Sequence, residues 1–494
     1  MAAESVAGFR GRNVLVAGAG VTGRSTVAAL VDLGATVTVT DARPQALADF
    51  GSLAAPGLTA PPAGTDLVVT SPGWKPTSPL LVAAAGAGIE VIGEVELAWR
   101  LSSGQTWLAV TGTDGKTTTV GMLESILLAA GAKAVACGNV GLPVIDAVRA
   151  GYEVLAVELS SYQLHWQDSL RADAAVVLNL AEDHLEWHGT MDEYAAAKAK
   201  IYTGAKTRIF NADDEWSTRL SGGGTGFTTG EPGEHRYGVS NGWLVDNRPE
   251  PRRNHPAPTE RTPAKPPPFP GGVPDPVYRG RPALMGDAAH LWTTGGHVDN
   301  LARVDEIRPP GPHNVSNALA ASALARAYGV SPEAIRVGLT NYQPQPHRVQ
   351  LVAEIDGVQY VNDSKATNNH AAAGSLNAYD SIVWIAGGLL HGAAVDDLVA
   401  SVAGRLRAVI VLGADQEVFA QALRRHAPEV PVHRLGSRDD EPMTAAVRAA
   451  RELARTGDVV LLAPAAKSHD MFTSYAHRGE AFTRAVKEAR EAQQ

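Results

Sequence analysis

The sequence predicts an α/β chain built in three units on largely parallel sheets. Three observations predict it. Short apolar runs alternate with helical stretches along most of the length, and glycine-rich turns follow two of those runs. At 494 residues the chain also exceeds what a single core can hold.

The first unit opens with the apolar run Asn13 to Ala17, which feeds Gly18-Ala19-Gly20-Val21-Thr22-Gly23. Arg24 to Leu33 reads as a helix closed by Gly34, and Thr36 to Thr40 as a strand that ends in Asp41. Such a β-α-β start places glycines where phosphates can approach backbone amides at a helix N-terminus. A tight strand-to-helix turn with no ligand accounts for the same glycines about equally well. Asp66 to Thr70 is the next strand, followed by Ser71-Pro72-Gly73, and the unit finishes near Gly93-Glu94-Val95-Glu96.

Thr106 to Thr111 opens the second unit, with Ala156 to Leu159 and Ala175 to Leu180 as further strands. Near-continuous apolar strands of this kind belong to a parallel sheet covered on both faces. From Asn247 to Arg281 the composition turns to Pro, Arg and Lys around Pro266-Pro267-Pro268. Proline cannot donate to a ladder, so this stretch reads as a surface insertion. The third unit follows Arg308-Pro309-Pro310-Gly311 and contains the strands Ser381 to Ala386, Ala408 to Leu412 and Asp458 to Ala463.

Composition narrows the function. Hydrophobic residues at 45% and charged ones at 19% are ordinary globular usage. A net charge of -9 argues against a nucleic-acid surface, so an anionic nucleotide needs local help from amides and a few cations. No apolar run approaches the roughly 20 residues that cross a bilayer, and Met1 to Arg12 lacks the apolar core of a signal peptide. The expectation is a cytoplasmic protein with no membrane insertion. Cys137, the one cysteine, can form no internal disulfide and reads as a small buried hydrophobe.

The strongest motif is Val110-Thr111-Gly112-Thr113-Asp114-Gly115-Lys116-Thr117-Thr118, set between a strand and the helical run Val120 to Ala130. Its glycines let amides turn toward phosphate, Lys116 can neutralise the β- and γ-phosphates, and Thr117 can ligate Mg²⁺. A plain phosphate loop has a further glycine six residues before the lysine, where this chain has Val110. Glu158 ends an apolar strand, and Glu182-Asp183-His184 crowd the end of the next. Carboxylates at the carboxyl edge of a parallel sheet suit a magnesium ion, although each taken singly can be a helix cap or a solvated turn. Lys198 lies in the helical run Met191 to Ile201 and by itself reads as a surface lysine. Asn139 reads as a turn asparagine. In the third unit Arg348 and Lys365 are two cations able to stabilise phosphoryl charge across a closing interface.

The shortened loop Gly-Thr-Asp-Gly-Lys-Thr-Thr resembles that of the Mur ligases and the folylpolyglutamate synthetases, which activate a carboxylate as an acyl phosphate for attack by an amine. Glu158 to Leu164, Asn179 to Leu185, Met191 to Ile201 and Val361-Asn362-Asp363-Ser364-Lys365-Ala366-Thr367-Asn368 resemble further Mur-ligase segments, and the last is the most family-specific. The likeness spans nearly the whole chain apart from the Pro-rich stretch. It is greatest to the branch that adds D-glutamate to UDP-N-acetylmuramoyl-L-alanine.

The resemblance implies a Rossmann-like domain over residues 1–101, a P-loop ATPase-like domain over 102–308 carrying the insertion 247–281, and a Rossmann-like domain over 309–494. It implies ATP held by Thr113, Asp114, Gly115, Lys116, Thr117, Thr118, Asn314, Asn317, Arg348 and Asp363, with Lys365 acting on the transferred phosphate. Mg²⁺ falls to Thr117, Glu158, His184 and Lys198, the last as a carbamate. The UDP-sugar falls to Val21, Thr22, Asp41, Arg43, Ser71, Gly73, Asn139, Gln163 and His184. D-Glutamate falls to Thr367 of the Val361–Asn368 string and to Ser468, His469 and Tyr475, the last three within a segment running from Leu462 to Arg478-Gly479.

Two departures stand out. The family's lysine after Gly387-Gly388 is replaced by Leu389-Leu390-His391-Gly392, and its Ser-Pro-Ala-Cys-Ala-Ser by Ala463-Pro464-Ala465-Ala466-Lys467-Ser468. His391 or Lys467 is therefore expected to supply the charge that meets a carboxylate of D-glutamate. The chain is expected to act as a monomer on small molecules alone. Rival readings are an amide ligase with another amino acid or a folate as substrate, a Rossmann reductase, and a catalytically silent nucleotide-binding partner subunit.

Overall fold

The structure is a computed structural model that describes residues 6–233, 236–248, 298–436 and 441–492. Of the Pro-rich stretch expected over 247–281, residues 249–281 lie outside the described residues.

Among the described residues the strands form three sheets. The first contains β1 (Asn13–Ala17), β2 (Thr36–Thr40), β3 (Leu67–Thr70) and β4 (Glu90–Gly93), all parallel in the order β2-β1-β3-β4. The second contains β5 (Thr106–Thr111), β6 (Ala134–Gly138), β7 (Val154–Glu158), β8 (Ala174–Val177), β9 (Thr207–Asn211), β10 (Thr225–Phe227), β11 (Arg236–Ser240), β12 (Trp243–Asp246) and β13 (Asp299–Arg303). Its order is β6-β7-β5-β8-β9-β10-β11-β12-β13, and its last two pairings are antiparallel. The third contains β14 (Gln350–Ile355), β15 (Val358–Asn362), β16 (Ile382–Gly387), β17 (Leu406–Leu412), β18 (Val432–Arg434) and β19 (Val459–Leu462), in the order β14-β15-β19-β16-β17-β18 with only β14 antiparallel.

The sequence expectations differ from this at element ends and at the edges. Helices begin earlier than their apolar periodicity suggests, at Val21 and Lys116, because the first turns Val21-Thr22-Gly23 and Lys116-Thr117-Thr118-Thr119 carry too few apolar residues to show the period. The middle sheet is not parallel throughout, since β11 to β13 form an antiparallel meander at one edge. The helices Pro312–Tyr328 and Pro332–Asn341 share the core of the middle sheet through Val315, Leu319, Leu324 and Leu339 and pack on the helix Lys116–Ala129. Cys137 is buried in the core, as its lack of partners suggested.

Two buried carboxylates fasten the first sheet to the second. Both lie on the helix Glu94–Leu101 that follows β4. Glu96 accepts from the amides of Asp168 and Ser169 at 3.0 and 2.9 Å, from Ser169 Oγ at 2.6 Å and from Arg100 Nε at 2.9 Å. Glu94 accepts from the Ile145 amide at 2.6 Å, and burial pushes its carboxyl up to about 7. The folded chain thus holds a proton that the unfolded chain loses nearer pH 4.5. Stability is expected to fall as pH rises through that window and to level above it, by an amount on the order of 3 kcal/mol. Glu94→Gln flattens the slope; an unchanged dependence of denaturation midpoint on pH between 5 and 7 would refute this assignment.

A second buried anion ties off the edge of the middle sheet. Asp246 at the end of β12 pairs in register with Asp299 at the start of β13. Asp246 receives Arg248 Nε at 2.8 Å and Arg326 Nε at 3.0 Å, while Arg326 Nη2 reaches Asp299 at 2.8 Å.

Candidate active site

In the middle sheet the strand order reverses around β5, whose neighbours β7 and β8 come from opposite directions of winding. In open α/β sheets the crevice outside such a switch point is where ligands bind. The loops leaving β5, β7 and β8 carry the residues singled out above.

The loop after β5 wraps toward the helix Lys116–Ala129. Gly115 has φ +82°, and a Cβ there would lie 2.3 Å from Asn317 Oδ1, so only glycine allows this approach. Asn317 also accepts from Thr119 Oγ1 at 3.3 Å and donates to Asn314 Oδ1 at 3.1 Å. The two asparagines expected at ATP therefore sit against the loop itself. Lys116 Nζ folds back on the loop's carbonyls, donating to Gly112 at 2.9 Å and Thr113 at 2.7 Å. Asn179, quoted in the sequence reading without a role, holds the loop by accepting from the Asp114 amide at 2.9 Å.

Glu158 ends β7 fully buried. Its Oε2 accepts from Thr117 Oγ1 at 2.7 Å and its Oε1 from Asn139 Nδ2 at 2.9 Å. Two of the expected metal ligands are thus in direct contact, and Asn139, expected at the UDP-sugar, bonds one of them. His184 takes a left-handed conformation, φ 58°, at the start of the short helix Leu185–His188, beside Asp183 and the Tyr162 ring. Burial lowers its pKa, so the imidazole is neutral near pH 7. Gln163 spends its amide oxygen in a capping box with Ser160, which leaves its NH₂ to meet a ligand.

Lys198 corrects the residue-level reading of a surface lysine. It is 2% exposed, donates to Gly112 O at 2.7 Å and Thr111 Oγ1 at 3.4 Å, and lies 4.7 Å from the centre of the Tyr194 ring. Burial first, and repulsion by Lys116 second, lower its amine far below the usual lysine range. Tyr194, unmarked by any motif of its own, also meets Thr113 Oγ1 through its hydroxyl at 3.1 Å.

The third sheet brings its own groups to the same place. Asp363, buried beyond β15, bonds Ser375 Oγ and accepts from the Val349 amide at 3.3 Å, and burial pushes it up to about 6. Burial, then Arg348, pushes the Lys365 amine down to about 8; Lys116, Glu158 and Asp114 also act on it. Lys365 Nζ stands 4.1 Å from the centre of the Tyr475 ring, so the residues expected at phosphate and at D-glutamate touch. Arg348 makes no ion pair among the described residues.

Leu389 and Lys467 exchange backbone hydrogen bonds of 2.9 and 3.0 Å, which brings the loop carrying exposed His391 alongside Lys467. Ser468 is buried, His469 is exposed and Thr367 is half-buried. Arg478, quoted only as part of a string, proves to be the centre of this region: fully buried, it donates to Ser364 Oγ and O, Gly387 O and Ala466 O.

On the first sheet, Gly18, Gly20 and Gly23 fall at the spacing G-x-G-x-x-G, and a Cβ on Gly23 would lie 1.9 Å from Gly18 O. Val21 is exposed at the first turn of the helix Val21–Asp32, with Thr22 beside it. Asp41 closes this loop by accepting from the amides of Ala19 and Arg43, both at 2.9 Å, and from Arg43 Nε at 3.2 Å. Ser71 lies against Gly18 and Gly73 is exposed beyond it.

Comparison with known proteins agrees with this arrangement. Residues 12–93 match the MurD-like N-terminal domain of Mur ligases, 110–229 the Mur ligase middle domain, and 347–466 the Mur ligase glutamate ligase domain. The chain is 51% identical to a UDP-N-acetylmuramoylalanine–D-glutamate ligase of Thermobifida fusca, covering 97% of this chain and 99% of that one. It is 48% identical to the protein of the same name from Streptomyces coelicolor, over 97% and 98%. The fold is similar to that of the UDP-N-acetylmuramate-alanine ligase of Thermotoga maritima, with TM-score 0.55 at 16% identity over 97% of this chain and 99% of that one. Three matched domains and a half-identical relative along nearly its full length establish that the chain belongs to the Mur ligase family.

Proposed function

We propose that this chain joins D-glutamate to UDP-N-acetylmuramoyl-L-alanine at the expense of ATP, as a cytoplasmic step in making peptidoglycan precursors. The observation that carries the reading is that Lys365 from the third sheet lies close enough to Lys116 and Glu158 of the middle sheet to feel their charge, with buried Arg478 bonded to the adjacent Ser364. We read one domain to each sheet and, because residues up to Tyr342 pack in the middle core, propose a seam between the second and third after Tyr342 in place of the boundary expected at 309.

In this reading the loop amides and Lys116 hold the triphosphate, and the alanyl carboxylate attacks the γ-phosphorus, breaking its bond to the β-bridging oxygen to leave ADP. Arg348 and Lys365 screen the charge on the transferring group. The amine of D-glutamate then attacks the acyl carbon, phosphate departs, and the amine gives up a proton. His184, whose pKa burial lowers, is by its chemistry a candidate to take that proton.

The residues fit a magnesium ion delivered with ATP. Such an ion keeps waters and phosphate oxygens and takes only one or two protein oxygens. Thr117 and Glu158 in contact provide these, and Lys198, buried nearby with no carboxylate bonded to it among the described residues, is suited to become an anion by carbamylation. When bound, the ion neutralises phosphate charge. The D-glutamate side chain would be met by Lys467 or His391.

Phosphate release is measured with UDP-N-acetylmuramoyl-L-alanine, ATP and Mg²⁺, with and without D-glutamate. Release that requires D-glutamate, with a product heavier by one glutamyl residue, is expected; release that responds only to another amino acid would overturn the reading. Lys467→Ala or His391→Ala is expected to raise the KM for D-glutamate about tenfold or more, as loss of one charge-assisted contact does. Unchanged KM in both variants would remove these residues from the site.

A further inference from the structure

The two joints between the sheets are built differently. The first is closed by Glu96, buried and surrounded by four donors from its own and the neighbouring unit. The joint at the phosphate loop is made by an exposed side chain. His370 occupies the second position of the helix Asn369–Leu376, just beyond Asp363-Ser364-Lys365, and its Nδ1 lies 2.7 Å from Asp114 Oδ2 in the loop after β5. Asn368, the N-cap of that helix, accepts from the Ala371 amide at 2.8 Å and so fixes the turn that presents His370. From the other side the Asp114 backbone is clamped by Asn179, through contacts of 2.9 and 3.3 Å. The one acidic side chain of the phosphate loop is therefore committed to the third unit.

We propose that His370 is a positioning residue: its bond to Asp114 latches the third unit against the phosphate loop and so places Lys365 over the site of phosphoryl transfer. The placement of Lys365 rests on the function proposed above; the latch itself does not. His370 is 54% exposed and Asp114 23%, and ion pairs of that accessibility are weak. A weak contact suits a joint that opens to admit ATP and release ADP, whereas the Glu96 joint is permanent.

The latch is strongest with His370 protonated. The groups that act on it are Asp114, whose hydrogen bond is the main cause of a raised pKa, and Asp214 at the start of the helix Glu215–Ser221. His313 lies close by on the helix Pro312–Tyr328, and Lys116 stands beside Asp114. Because the folded pKa is raised, the latch holds below it and is lost as pH rises through it.

The test uses the full chain with donor and acceptor dyes on cysteines introduced at exposed Val82 and Val432, the native Cys137 being buried. With a non-hydrolysable ATP analogue and Mg²⁺, the native chain is expected to be closed at pH 6 and to open toward pH 9. His370→Ala is expected to be open at both, and His370→Gln, which keeps a donor without the charge, to show no pH dependence. In steady state His370→Ala should lower kcat and raise the KM for ATP, each severalfold, and leave the KM for D-glutamate within twofold. A native distance that ignores pH overturns the latch. So does a His370→Ala chain that matches the native distance, whether or not its kcat falls. If the distances behave as expected while the native chain releases no phosphate, the latch stands and the proposed function falls.

Discussion

Lys198→Ala is expected to lower D-glutamate-dependent phosphate release by roughly 10²- to 10³-fold, the loss that follows removal of one preorganised charge from a dry site. The argument starts from burial. An ammonium at 2% exposure costs several kcal/mol unless it is paired. Among the described residues Lys198 is offered the carbonyl of Gly112, the hydroxyl of Thr111 and the face of Tyr194. Burial, then repulsion by Lys116, lowers its amine well below the usual lysine range, which favours the neutral form, a nucleophile able to add CO₂ and become an anion suited to magnesium. Folding should be unharmed, since the substitution removes a poorly solvated group. Lys198→Arg keeps a cation but cannot form the carbamate, and it should be as inactive as alanine. A carbamate carbon resonance in the native chain fed ¹³C-bicarbonate, absent from both variants, is the direct check. Arginine at this position with near-native turnover would sink the carbamate.

Arg478→Ala is expected to cost the third unit about 3–5 kcal/mol, since truncation leaves several buried acceptors unmet at 1–3 kcal/mol each. Its guanidinium donates at 2.9 Å to Ser364 O, 3.0 Å to Ser364 Oγ, 3.1 Å to Ala466 O and 3.4 Å to Gly387 O. Burial pushes its pKa down to about 10, which still leaves it charged at neutral pH. No carboxylate bonds it among the described residues, so the arginine serves carbonyls and a hydroxyl from three separate loops. Those loops carry Lys365, the glycines before His391, and Lys467 with Ser468. Differential scanning calorimetry should show the transition of this unit lowered by roughly 10 °C. Arg478→Lys, with a single ammonium in place of a fork, should fall between. A midpoint within 2 °C of native for the alanine variant would show that water replaces the guanidinium at little cost.

Periodicity alone located the central strands, because strands buried on both faces are written as unbroken apolar runs: Thr106 to Thr111 was read to the residue. It failed at helix starts such as Lys116, where the first turn carries too few apolar residues to show the period, and at β11 to β13, where an edge meander follows no such run. At the site, the phosphate loop and Glu158 were legible because strand, glycines and helix follow one another in the chain. Lys198 was misplaced at residue level, since nothing nearby in sequence announces that Gly112 and Tyr194 enclose it. Glu94, Glu96, His370 and Arg478 escaped notice for the same reason. Apart from Arg100, four residues from Glu96, the partners quoted for them lie between 12 and 256 residues away, and a charged residue on a helix is ordinarily solvated.

The clasp of Asp246, Arg248, Arg326 and Asp299 has an engineering corollary. It holds the chain's exit and re-entry points side by side at the rim of the middle sheet, independently of whatever is spliced between them. Lengthening or shortening such a span changes closure entropy only logarithmically. Excising residues 249–297 in favour of a two-residue Asn-Gly link, or grafting a fluorescent domain there, should leave turnover near native; a collapse in soluble yield on excision would show that the clasp does not stand alone.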